Sequence, residues 1–294
     1  MQNDDLLATS PLSNLLTNDF WGTPLSHTGS HKSYRPLCSL TFKLNAIWSG
    51  LNPYGFHLVN VVLHCIATFL FVALARTHFK DKLKIIVSSL AFALHPIHTE
   101  AVAGIVGRAD ILAAIFFLAA SLSFDVHMKT KRDKNETKKP FLALTVFCAT
   151  MAMFCKEQGI TVLGVSLLKC LGHRKSRDKV TLFWLVSAIL GLLVLRGQLM
   201  GFRPPKFAKA DNPASASDSI LARFLTLAFL PAFNFWLVIC PTQLSFDWSM
   251  DAIPLIKSLW DPRNGLSAAF YSGLLVLAWK RRKVRDTKKL LDLF

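Results

Sequence analysis

The sequence predicts an all-α, polytopic membrane protein, and three observations predict it. Apolar residues gather into long blocks, basic residues gather into clusters between those blocks, and the charged fraction is low. Hydrophobic residues make up 52% of the chain and charged ones 18%, with a mean hydropathy of +0.38. A soluble domain carries about 25% charged residues.

The blocks are Phe56–Ala75, Ile85–Leu94 running on to Val106, Ile111–Phe124, Phe141–Phe154, Ile160–Leu171, Leu182–Leu195, Phe224–Ile239 and Leu266–Trp279. A bilayer span needs roughly 20 mainly apolar residues. Several blocks are shorter and reach that length only if their polar flanks sit at the interface or face protein.

Four basic clusters hold 21 of the 34 Lys and Arg residues: Arg76–Lys84, Lys129–Lys139, Arg174–Lys179 and Lys280–Lys289. Positive loops stay cytoplasmic, so all four are assigned to that side. Seven crossings satisfy the assignment, near 56–75, 84–102, 111–128, 141–155, 160–172, 181–200 and 265–279. The expected organisation is one domain over 1–294. A non-cytoplasmic loop (1–55) leads into six crossings (56–200), followed by a non-cytoplasmic segment (201–264), a last crossing (265–279) and a basic cytoplasmic tail (280–294). If Phe224–Ile239 also crossed, the final basic cluster would land on the wrong side. Pro231 would also interrupt a straight helix. That block is therefore read as a re-entrant or interfacial helix pair.

The net charge of +16 would suggest nucleic acid in a soluble protein. Here the charge is topological and no nucleic-acid module is visible, so that partner is excluded. The six cysteines form no CxxC or Cys/His spacing, so neither a metal site nor a disulfide framework is expected. Residues 1–10 contain acids and lack a basic, then apolar, leader. The sequon Asn135-Glu-Thr137 lies in a basic loop and is expected to be unused.

Polar strings at the block edges carry the candidate chemistry. In Asn18-Asp-Phe-Trp-Gly22 and His31-Lys-Ser-Tyr-Arg-Pro36, the aromatics suit a headgroup-level belt, and Lys32, Tyr34 and Arg35 suit a phosphate. In His95-Pro-Ile-His-Thr-Glu100 and Gly107-Arg-Ala-Asp110, two histidines and an acid resemble a metal set in number. Pro96 lies between the histidines, however, and no third ligand follows at helical spacing. An anion held by Arg108, with Glu100 orienting a hydroxyl or His98, fits better, and Asp110 pairing with Arg108 is the plainer alternative. Cys155-Lys-Glu-Gln-Gly159 places a lysine and a glutamate at a span terminus, where ionisable groups are costly unless satisfied or functional. Asp247-Trp-Ser-Met-Asp251 and Trp260-Asp-Pro-Arg263 suit an interfacial loop.

Five strings together resemble the transmembrane and tetratricopeptide repeat-containing (TMTC) family: Asn18–Gly22, Ser33–Leu37, His57–His64, His95–Val102 with Gly107–Asp110, and Lys156–Gly159. Asp211-Asn-Pro-Ala214 and Leu244–Ser249 resemble the same family's membrane-associated region. The resemblance covers nearly the whole chain. It implies a multi-pass endoplasmic reticulum protein with a GT-C glycosyltransferase-like helix bundle, its non-cytoplasmic loops in the lumen. It also implies transfer of mannose from dolichyl-phosphate mannose to Ser or Thr of cadherin-type domains, with no cofactor beyond that donor. By the resemblance, Glu100, Asp5 and Asp4 are the acid–base candidates, and Arg35, His98, Arg108 and Lys156 are the candidates for the lipid phosphate. Family members begin with a further transmembrane helix followed by an acidic pair, and end in a tetratricopeptide array. Transfer by this chain as written is therefore expected to be impaired. The alternative is a non-catalytic membrane scaffold that binds partners. A transporter would want a continuous polar path through the spans.

Overall fold

The computed structural model describes residues 3–7, 9–132, 139–172, 179–203, 209–245, 247–250 and 252–291. The sequon Asn135–Thr137, residues 133–138 of the second basic cluster and all of the third but Lys179 lie outside the described residues. The chain divides into two compact units, Met1–Lys206 and Phe207–Phe294. Among the described residues both are helical, with no strand. Among the described residues, five helical stretches are long and apolar enough to cross a membrane. The protein is an all-α, multi-pass membrane protein.

The first unit opens with a capping segment. A 3-10 turn at Asp4–Leu6 and the short helix α1 (Asn14–Thr17) lead through a loop to α2 (Pro36–Ser49). Next comes α3 (Pro53–His78), started by the Asn52 side chain, which accepts from the Tyr54 N–H, and by Pro53 in the first turn. Its last turn carries Arg76 and His78, which suit the negative end of the helix dipole. The helix α4 (Lys82–Leu94) is capped by Asp81 and runs through a 3-10 turn at Pro96–His98 into α5 (Thr99–Ala103). Then follow α6 (Arg108–Arg132), α7 (Lys139–Cys155), α8 (Thr161–Gly172) and α9 (Lys179–Leu199). Of the six crossings expected here, α3, α4–α5, α6 and α9 reach full length, while the apolar run of α7 and the whole of α8 are shorter.

The two ends of this bundle are chemically different. At one end Asp125 of α6 pairs with Lys169 of α8 at 2.8 Å and accepts from Thr77 of α3, and His127 meets Thr181 at 3.0 Å. The helix ends flanking the first three basic clusters lie here. At the other end lie residues 3–7 and 9–52, the 95–108 turns, the Lys156–Ile160 turn and the end of α9. A core of Phe20, Phe42, Phe56, Leu112 and Cys155 closes that end. All six cysteines are free.

The second unit contains α10 (Pro213–Ala216), α11 (Ile220–Ile239) and α12 (Arg263–Leu291). The expected interruption at Pro231 is not found, because α11 is one continuous helix of 20 residues. Proline costs one backbone bond, a loss that apolar spanning helices tolerate. Asn234, in the next turn, donates back to the Leu230 carbonyl at 3.0 Å. Arg263 pairs with Asp261 at 2.7 Å and reaches the Leu255 carbonyl, while the Ile256 N–H donates to Thr226 of α11. These bonds tie the preceding loop to α11 and α12.

Candidate functional site

Arg108 begins α6 and is completely buried, with 0% exposure. Its Nε donates to Asn60 Oδ1 at 2.7 Å. Its Nη2 donates to Asn45 Oδ1 at 2.8 Å and to the Phe56 carbonyl at 2.9 Å, and its Nη1 reaches the Thr41 carbonyl at 3.3 Å. The rings of Phe42 and Phe56 lie 4.5 and 5.5 Å from the guanidinium. A buried cation without a carboxylate is tolerated only when dipoles replace its water, and this cage supplies them from α2 and α3. The guanidinium has no open face for a ligand. Asp110 does not pair with it, because residues two apart on a helix point in different directions.

Asp110 instead accepts from Lys156 Nζ at 2.5 and 2.7 Å. Glu100, on α5, is exposed and lies in the electrostatic field of Asp110 and Lys156. Among the described residues its carboxylate has neither a hydrogen-bond nor an ion-pair partner. The next residue after Lys156 opens a second network. Glu157 accepts from Arg35 Nε at 3.2 Å and Nη2 at 3.0 Å, and from Arg196 Nη2, at the end of α9, at 3.1 Å. Arg196 also leans on the Lys32 carbonyl at 3.5 Å. Arg35 further stacks on Phe20 at 5.1 Å. Burial alone would raise the Glu157 carboxyl, but the Arg35 guanidinium, a backbone N–H and then Arg196 hold it below its ordinary value. Three parts of the first unit thus meet on one carboxylate, with one positive charge in excess. Lys156 and Glu157, adjacent in sequence, join this network to the Glu100 corner.

The capping segment is held by two other centres. Asp19 accepts from the Trp21, Thr23 and His31 N–H groups and from the Ser30 hydroxyl, so its carboxylate organises the loop. Lys43 of α2 donates to the Leu7 carbonyl at 2.6 Å, the Ser10 carbonyl at 2.7 Å and the Asp5 carbonyl at 3.2 Å. Lys32 closes on the Leu25 carbonyl.

A scan against family models matches residues 201–275 to the family described as protein O-mannosyl-transferase TMTC, DUF1736. The chain is 48% identical over 293 residues to the mouse protein O-mannosyl-transferase TMTC2, covering 94% of this chain and 35% of that protein. The human protein of the same name gives 47% identity with the same coverage. A Drosophila melanogaster protein O-mannosyl-transferase, Tmtc1, gives 40% identity over 99% of this chain and 36% of its own length. The chain belongs to the TMTC family. It spans about a third of the length of these TMTC relatives. No solved structure matches it.

Within this TMTC chain the seven residues singled out from sequence fall into distinct places. Lys156 and Glu100 share one corner, and Arg35 joins them through Glu157. His98 lies apart, against His64 and Phe92 at ring distances of 5.4 and 4.8 Å. Among the described residues no group of three His, Cys, Asp or Glu is placed to hold a metal. Asp5 is buried, and its carboxylate accepts from Asn14 and Asn18, each at 2.8 Å. Asp4 is exposed. Sequence reasoning did not single out Arg196 or the pairing role of Glu157. A lone arginine ending the apolar run Leu182–Leu195 was the available signal, since such residues are expensive at a membrane edge.

Proposed function

We propose that this chain forms the membrane region of a protein O-mannosyltransferase of the endoplasmic reticulum, with a GT-C-like bundle. It transfers mannose from dolichyl-phosphate mannose to Ser or Thr of cadherin-type luminal domains. The observation that carries the reading is an unpaired, exposed carboxylate (Glu100) in the electrostatic field of Lys156, whose chain neighbour Glu157 gathers Arg35 and Arg196 at the same end of an apolar bundle. The names of the relatives support the same chemistry. Glu100 takes the proton of the acceptor hydroxyl as its oxygen attacks the anomeric carbon. The bond from that carbon to the phosphate oxygen breaks, and the lipid phosphate leaves with the electron pair. Lys156 and Arg35 neutralise that phosphate. Asp4 remains exposed and available, whereas Asp5 is committed to two asparagines and Arg108 to its cage. In this reading Arg108 and His98 shape the site without touching the donor.

The test is transfer of labelled mannose in proteoliposomes, comparing the parent with Glu100→Gln. Loss of transfer with normal folding and donor binding supports the assignment, and undiminished transfer removes Glu100 from the mechanism. The closure of Asp5 and Arg108 favours one other reading, a non-catalytic scaffold. Absence of donor-dependent transfer by the folded parent protein would leave that one standing.

A further inference from the structure

We infer that the outer face of α2 is a lipid-inserting surface that seats the capping segment in the membrane interface. The helix is apolar on its buried side, at Cys38, Phe42 and Ala46, and apolar again on its outer side. Its inward face carries Ser39, Lys43 and Asn45, all buried, with Lys43 bonded to the Leu7 and Ser10 carbonyls and Asn45 to Arg108. Leu40, Leu44, Ile47 and Trp48 recur at helical spacing on the other side, and Leu51 follows just past the helix end at Gly50. Of these, Trp48 is 69% and Leu51 66% exposed. With 14 residues, α2 is too short to cross, since a span needs roughly 20. A helix that is apolar outward and too short to span suits the plane of the interface.

What covers this stripe is indicated by its continuity. Past the turn at Gly50 the exposed apolar surface passes through Tyr54, 72% exposed, to Leu58, Val61 and Val62 on the outward face of α3, a helix of membrane-spanning length. From Leu44 to Ala75 the sequence contains no Asp, Glu, Lys or Arg. The lipid-facing surface of α3 therefore runs onto α2 without a charged boundary. Trp48 and Tyr54 sit where that surface leaves the span, the position tryptophan and tyrosine favour at headgroup level. The occupant is the interfacial layer of the bilayer itself, and with no charge on the stripe it does not depend on anionic headgroups. This inference is independent of the transfer reading.

The test places a photoreactive benzoylphenylalanine at Trp48 in the full chain, reconstituted in phosphatidylcholine vesicles, with Thr28 as the exposed polar control. The label replaces an already exposed side chain, and a monodisperse elution profile verifies folding. Expected is a phospholipid adduct at position 48 and none above background at position 28, with the yield at 48 unchanged when phosphatidylglycerol is added. Cross-links from position 48 to protein alone would overturn the inference in favour of a helix partner. Absence of any lipid adduct at 48, or equal adducts at both positions, would also overturn it, and a requirement for phosphatidylglycerol would refute the uncharged interface.

Discussion

Two arginine centres lie at the same end of the bundle and meet their acceptors differently. Arg108 gives its hydrogen bonds to amide and backbone oxygens in a sealed cage between two phenylalanine rings. Arg35 gives its fork to a carboxylate that it shares with Arg196, and all three side chains remain partly exposed. Neutral dipoles can satisfy a cation permanently without leaving a net charge to exchange. A shared carboxylate can be exchanged, because another anion is able to compete for either guanidinium. The first arrangement is suited to holding the fold and the second to meeting a ligand.

Substitutions can break or sharpen this comparison, and we predict the following order in stability. Arg108→Met should cost the most, above about 3 kcal/mol, because truncating one partner of a buried charged network strands the acceptors around it. Thermal unfolding in detergent measures this, and an unchanged midpoint would show that the cage is not structural. Lys43→Met should come next, at about 2 kcal/mol, since an ammonium bonded to several carbonyls is lost but its stem still packs. Limited proteolysis should then cut residues 3–35 faster than in the parent, with no acceleration at 76–84.

Glu157→Gln should cost about 1 kcal/mol at neutral pH, because the group is partly exposed and screened. Its pH dependence has a definite sign. The folded carboxyl lies below its ordinary value of 4.5, so its contribution is fully present above that value and disappears as pH falls through the folded value. The stability gap between parent and variant should be constant from pH 7 down to roughly 5 and shrink below it. A gap that widened on acidification would contradict the pairing. Glu100→Gln should be the smallest in stability, within about 0.5 kcal/mol. It should nevertheless reduce transfer by roughly 10²–10⁴-fold, the usual contribution of a general base. Similar losses of folding from Glu100 and Arg108 variants would erase the distinction drawn here.

The helical class was legible because the apolar blocks are long, and α3, α6 and α9 follow them closely. The continuity of Phe224–Ile239 was not, because a proline inside an apolar run reads as a break although the helix continues through it. For the site, Arg35, Glu100 and Lys156 were legible as ionisable groups at block edges. Their partners were harder to see. Arg35 and Glu157 are 122 residues apart in the chain, and single-sequence spacing carries no trace of such a contact. Arg108 and Asp110 illustrate the opposite error. Proximity in sequence suggested a pair, while the turn of α6 sends one into the cage and the other to Lys156.

The turn that bears Lys156 and Glu157 closes on Gly159, where a Cβ would collide with the backbone of Ala152 in α7. A single methyl group there would push the whole turn outward and pull Lys156 from Asp110 and Glu157 from both arginines at once. In a saturation mutagenesis map, Gly159 would therefore score with the charged residues it supports. An inherited Gly159 substitution would resemble the combined loss of Lys156 and Glu157 while altering no charged group.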